Sequence, residues 1–240
     1  MILAIDTATL DASVALVTRE GQLRASRQAR VTTHSEALLG MIAAVLEEAG
    51  VRPDDLAAVA CGAGPGSFTG LRIGLATAKG LCLAVGSASN PSGRRLPLLL
   101  VSSLQALARR APASMQGALV VPCIDAFKSE VYVGFYRGGD EPAPAGTPVE
   151  AVLPPQQLIA RLAALPAGSP LCIVGGGPVR YPELRALDAL FVEGGAPVAD
   201  EVGRLAAMRL ARGEADDLAA AVPRYIRPSE AEIKFGPALE

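Results

Sequence analysis

The sequence predicts an α/β protein of two lobes, each built on a β-β-β-α-β-α unit, and three observations carry that prediction. The apolar run Ile2–Asp6 (ILAID) that opens the chain is echoed by Val120–Asp125 (VVPCID) near its middle. Each echo is followed by strand-like segments and then by alternating helical and strand-like ones. Each half also carries a glycine turn after a short apolar run: Gly62, Gly64, Pro65 and Gly66 in the first, Gly175, Gly176, Gly177 and Pro178 in the second. Such a duplication places a cleft between two lobes, lined by Asp6, Asp125 and the glycine turns. The lobes are expected at residues 1–104 and 105–240, with the last segment able to pack back on the first lobe.

Ile2–Asp6 reads as a strand ending in an acid, and Ser13–Thr18 and Leu23–Ala29 as two more, joined by the Glu20-Gly21 turn. Thr32, Thr33 or Ser35 caps a helix to Ala49 that aligns Leu38, Leu39, Ile42, Val45, Leu46 and Ala49, and Gly50 ends it. Leu56–Cys61 is a buried strand leading into the first glycine turn, where several positions call for positive φ. Ser67 or Thr69 then caps a proline-free helix from Phe68 to Val85. A polar loop, Gly86–Pro97, precedes the strand Leu98–Val101 and a helix capped by Ser102 or Ser103. In the second half the strands are Val120–Asp125, Glu130–Tyr136, Val149–Leu153, Leu171–Val174 and Phe191-Val192, and the helices Gln156–Leu165 and Asp200–Arg212.

Strand, glycine turn and helix N-terminus can present bare N–H groups to an anion, or can bring backbone against backbone. Along the helix, Arg72, Ala76 and Lys79 form a stripe suited to solvent, and Leu71, Ile73, Leu75 and Leu81 fill much of the rest. Gly70, Gly74, Thr77 and Ala78 form a small-residue groove that suits either the protein's own sheet or a helix of another subunit. Each glycine at 70, 74 and 80 costs roughly 1 kcal/mol of helix propensity against alanine, so a compensating contact is expected.

At 240 residues the chain buries a sizeable core. Its formal charge of −2 is the wrong sign for a protein that grips nucleic acid by itself. No eighteen-residue stretch is both apolar and uncharged, so no membrane span is expected, and the opening MILAIDTA lacks the basic region of a signal peptide. Cys61, Cys82, Cys123 and Cys172 lie far apart in or beside apolar runs, which fits buried free thiols in a reducing cytoplasm. His34 is the one histidine, so neither HExxH nor a pair of histidines one helical turn apart can form, and a nucleophile-base pair would need His34 itself. A capping or interface role suits it better. Asp6, with Asp125 and the Gly175-Gly176 turn, is a weak candidate for magnesium and nucleotide phosphate. Asp6 is followed by Thr7-Ala8-Thr9 rather than glycine, and there is no GxxxxGK[ST] loop, so structural roles are the default and no cofactor is expected.

GPGSFTGLRIGLATAKGL, ILAIDTAT, HSEALL, IDAFKSEVYVGFY and, near the end, PRYIRPSEAE resemble the bacterial TsaB (YeaZ) family over most of the chain. The resemblance implies a two-lobed fold of the actin/Hsp70/sugar-kinase (RNase H-like) type. It also implies a cytoplasmic role in making N6-threonylcarbamoyladenosine at position 37 of tRNA. In that family the transfer chemistry belongs to the paralogue TsaD, which carries an HxxxH metal pair and the nucleotide. Here the residue four after His34 is Leu38, so the resemblance implies a non-catalytic scaffold. It would bind a TsaD-type partner, support docking of a TsaE-type ATPase, pair with itself when alone, and meet tRNA only through the complex. The family pairs through its first two helices. That places the expected interface on His34, Leu38, Met41, Ile42, Val45, Gly70, Leu71, Gly74, Thr77, Ala78 and Leu81. The chain departs from the family pattern at Gly40, often near a proline, at Phe127-Lys128, where a basic pair is usual, and in its longer Gly86–Pro97 connection. The rival readings are an ATPase or kinase of the same fold, an M22 glycoprotease-like hydrolase, and a stand-alone tRNA binder.

Overall fold

The computed structural model describes residues 1–30, 34–88, 95–138, 141–142, 149–194 and 198–227, with the side chains of residues 34–36, 86–88 and 141–142 left out. The Thr32 and Thr33 caps and most of the polar loop after Ala88 lie outside the described residues.

The first half folds as β1 (Ile2–Asp6), β2 (Asp11–Val17), β3 (Leu23–Arg30), α1 (His34–Glu48), β4 (Ala58–Gly62), α2 (Phe68–Ala88), β5 (Leu98–Val101) and α3 (Ser103–Ala108). The second half gives β6 (Leu119–Asp125), β7 (Val131–Gly134), β8 (Tyr136–Arg137), β9 (Glu141–Pro142), β10 (Glu150–Leu153), α4 (Pro155–Ala163), β11 (Leu171–Val174), α5 (Gly177–Arg180), β12 (Leu190–Val192) and α6 (Ala199–Ala211). The first sheet runs β3-β2-β1-β4-β5 and the spine of the second runs β10-β7-β6-β11-β12, so the order is repeated. In both, the meander pairs are antiparallel and the last two pairings are parallel. The expected strand from Glu130 to Tyr136 is split, and its end, β8, turns to pair with β6 and β9.

Why these segments become strands is visible in their burial. β1 and β4 are buried along their whole length, as the central strands of a sheet covered on both faces must be. β3, at the sheet edge, exposes most of its residues, and Arg24, Arg27 and Arg30 guard that edge with charge.

Three apolar cores separate the layers. One joins the outer face of the first sheet to α1 and α2, and another joins the outer face of the second sheet to α4 and the turns around Leu184. The third lies between the sheets, where β1, β4 and β5 meet α6, and β6 and β7 meet α3. Helix α6, which belongs to the second half in sequence, thus packs on the first sheet. Phe68–Val85 is long and apolar enough by composition to cross a membrane, yet it carries Arg72 and Lys79 and packs against β4, β1 and β5. All four cysteines are free and buried.

Candidate functional site

The two acids expected to line the cleft sit at equivalent strand ends in different settings. Asp6 closes β1 and is 2 % exposed. Its Oδ2 accepts a hydrogen bond from Ser103 Oγ (2.6 Å) at the start of α3, and its Oδ1 accepts one from Ala8 N (3.2 Å). Burial pushes its carboxyl above the usual range, opposed by the Ser103 and Ala8 hydrogen bonds. Gly62 lies directly on it, since a Cβ there would overlap Asp6 Oδ2. Asp6 therefore ties β1, β4 and α3 together, with its oxygens engaged by the protein.

Asp125 closes β6 and remains partly exposed. Its Oδ1 accepts from Phe127 N (2.8 Å) and Tyr181 OH (2.9 Å), and its Oδ2 lies 3.8 Å from Arg180 Nε. The hairpin beyond it passes through Phe127, Lys128 and Ser129, all with positive φ and none of them glycine. Among the described residues, no group of three or more His, Cys, Asp or Glu side chains is placed to hold a metal ion.

The first glycine turn serves close packing. Only Gly64 has positive φ (+101°), which corrects the expectation that several positions need it. At Gly66, a Cβ would overlap Ala8, whose carbonyl accepts from Ser67 N (2.7 Å). Ser67 caps α2 as expected, accepting from Gly70 N (3.2 Å). In the second turn, Gly175 (φ +116°) and Gly177 press on Cys123 of β6, while Gly176 has nothing within 4 Å.

The expected partner groove on α2 is already filled. Thr7 Oγ1 donates to Gly70 O (2.8 Å), and a Cβ at Gly70 or Gly74 would overlap Thr7. These glycines admit the turn after β1, and their compensating contact is within the chain. Of the other expected interface residues, Leu38, Met41, Ile42, Val45, Leu71 and Ala78 are buried in the protein's own interior, and Thr77 and Leu81 are half-buried. His34 begins α1, and its side chain lies outside the described residues. This burial has a simple cause: the most apolar face of an amphipathic helix packs on its own sheet, leaving the smaller, less regular face outward.

The outward faces are instead Leu39, Gly40 and Ala43 on α1 and Ala76, Gly80, Leu83 and Ala84 on α2. Leu39 is 59 % exposed and Leu83 46 %, and among the described residues a Cβ at Gly40 or Gly80 would meet nothing within 4 Å. The sequence carries the signal, since Gly80 is one of the helix glycines whose propensity cost calls for a compensating contact. Choosing the face required knowing where Thr7 lies.

Comparison with known proteins follows the same lines. The family model "TsaD: tRNA N6-adenosine threonylcarbamoyltransferase" matches residues 28–234. The chain is 34 % identical to the tRNA threonylcarbamoyladenosine biosynthesis protein TsaB of Escherichia coli over 237 residues, covering 98 % of this chain and 97 % of that one. The structure of YeaZ from Pseudomonas aeruginosa superposes with a TM-score of 0.72 at 34 % identity, covering 93 % of this chain and 98 % of the other. At 8 % identity and a TM-score of 0.50, the activator of 2-hydroxyisocaproyl-CoA dehydratase from Clostridium difficile, solved with bound ADPNP, covers 90 % of this chain and 98 % of its own. That likeness extends the expected actin-like two-lobed fold to this chain and nothing further. With a near full-length relative at this identity, the chain belongs to the TsaB (YeaZ) family.

Proposed function

We propose that this chain acts in the cytoplasm as the non-catalytic scaffold of tRNA threonylcarbamoyladenosine synthesis, binding a TsaD-type catalytic subunit through the outward faces of α1 and α2. The observation that carries this reading is the pair Gly40 and Gly80. Each sits inside a helix at a cost of about 1 kcal/mol against alanine. Unlike Gly70 and Gly74, neither is required by any contact among the described residues. Close approach of a partner helix over Ala43, Ala76 and Gly80, flanked by Leu39 and Leu83, explains both. The same face serves a homodimer when the chain is alone, and a TsaE-type ATPase docks on the assembled pair. Contact with tRNA is made through that assembly, in keeping with the net charge of −2.

The engagement of Asp6 by Ser103 and Ala8 supports a scaffold over a kinase or ATPase. Light scattering of the chain mixed with its TsaD-type paralogue tests the reading. Wild type is expected to form a heterodimer, and Gly40→Arg, with an intact circular dichroism spectrum, is expected to leave two separate species. A folded Gly40→Arg protein that pairs like wild type would contradict it.

A further inference from the structure

We infer that residues 214–227 form an intrachain strap that crosses the mouth of the cleft and holds the two lobes together. The strap begins beside β5, where Asp216 bridges to Leu98 and accepts a hydrogen bond from Leu100 N on Oδ2 (2.7 Å). Arg209 of α6 fixes that corner by donating to Leu100 O (2.7 Å) and Asp216 Oδ2 (3.0 Å). Lys79 of α2 donates to Ala219 O (3.3 Å), and Leu218 and Ala221 join the apolar core beneath α1 and α2.

The strap then reaches the carboxyl end of β4. Arg224 N donates to Ala63 O (2.7 Å), and a Cβ on Gly64 would come within 3.1 Å of Arg224 O. Tyr225 stacks on Phe68 with ring centroids 5.1 Å apart and accepts a hydrogen bond from Arg72 Nε (2.9 Å). Ile226 turns into the core between the sheets. Arg227 finally spans to the other lobe, donating to Ala126 O (2.7 Å) and pairing with Glu130 in the turn beyond β6.

A buried carboxylate latches the middle of this path. The Glu150 side chain on β10 is fully enclosed, and its Oε1 accepts hydrogen bonds from Tyr136 OH (2.5 Å) and from Ser102, the cap of α3. Among the described residues its Oε2 has no aligned donor but lies 3.3 Å from Arg224 Nη1, so the guanidinium supplies charge compensation without a well-directed hydrogen bond. First lobe, second lobe and strap thus meet at one carboxylate. The strap covers the carboxyl ends of β4 and β6, the side on which open α/β sheets admit ligands, so entry there requires its release. Its core is the PRYIR portion of the sequence motif Pro223–Glu232, to which the docking face gives no role.

Amide exchange on the full chain tests the strap independently of any partner. In Arg227→Ala, the amides of 62–66 and 126–130 are both expected to exchange faster, by roughly tenfold, because one element clamps both turns. Acceleration confined to 126–130, or none, would overturn the inference by reducing Arg227 to a local tie. Glu130→Gln, which keeps the side-chain size and removes the charge, gives the same readout if Arg227→Ala does not fold. Tyr225→Ala probes the strap from the opposite end and should loosen 126–130, and an effect limited to 62–72 would likewise overturn it.

Discussion

The glycine turns after β4 and β11 occupy equivalent places in two sheets of identical order but lead to different structures. After β4 the chain continues into the 21 residues of α2, and Gly62, Gly66, Gly70 and Gly74 all press on Asp6, Thr7 or Ala8. After β11 it makes the four residues of α5 and an irregular turn, with Gly175 and Gly177 packed on Cys123 and Gly176 open. The strand-end acids differ in the same sense: Asp6 is enclosed and Asp125 partly exposed. One copy of the unit has been closed around its first strand and extended into a long helix whose outer face is exposed among the described residues. The other has kept a short, loosely surrounded turn. Equal topology therefore does not imply equal roles, because close approach at a few glycines decides whether a strand end is filled or open.

The difference can be broken most severely at Gly74. Gly74→Leu would drive a side chain into Thr7, and urea denaturation should show a loss of about 3 kcal/mol or more, or no folded protein. Gly176→Ala in the other turn should stay within about 0.5 kcal/mol of wild type. The acids come next. Asp6→Ala removes the partner of the buried Ser103 hydroxyl and of Ala8 N, at a cost of about 2 kcal/mol, whereas Asp125→Ala should cost about 1 kcal/mol.

Asp6 also predicts a pH dependence. Burial raises its folded pKa above the ordinary aspartate value of 3.8, so from there upward the unfolded chain loses the proton first. Across that window the folded state holds more protons, and stability falls as pH rises until the folded carboxyl has ionised. Denaturation midpoints of wild type minus Asp6→Asn, followed upward from pH 3.8, should decline, and a flat or rising difference would contradict the buried setting. A modest effect of the opposite sign is expected on the outer face of α2. Gly80→Ala should stabilise the isolated chain by about 0.5–1 kcal/mol in a thermal melt, since its Cβ meets nothing among the described residues.

Much of the architecture was legible because patterning along the chain reports burial. The echo of ILAID in VVPCID, the continuous apolar runs of β1 and β4, and Ser67 and Ser102 before their helices each have a local cause. What was not legible depends on contacts distant in sequence. Nothing in the spacing of Gly70 and Gly74 says that Thr7, more than sixty residues earlier, fills their groove. Most of the residues expected at the interface are consequently ones that the protein buries itself. The positive φ values at Phe127, Lys128 and Ser129 carry no glycine or asparagine to signal them. The strap joins Ala63 to Ala126 through polar side chains and backbone, which hydrophobic periodicity does not record.

The measurement that bears most directly on the central claim is titration calorimetry of the TsaD-type paralogue into two folded variants, Gly80→Arg on α2 and Val179→Arg on α5. Both positions are exposed in equivalent helices of the two copies, Val179 at 59 %. Gly80→Arg is predicted to weaken binding by at least about tenfold, equivalent to roughly 1.4 kcal/mol, with Val179→Arg unchanged. Unaltered binding by Gly80→Arg, or loss in Val179→Arg alone, would contradict the assignment of the docking face to the first copy.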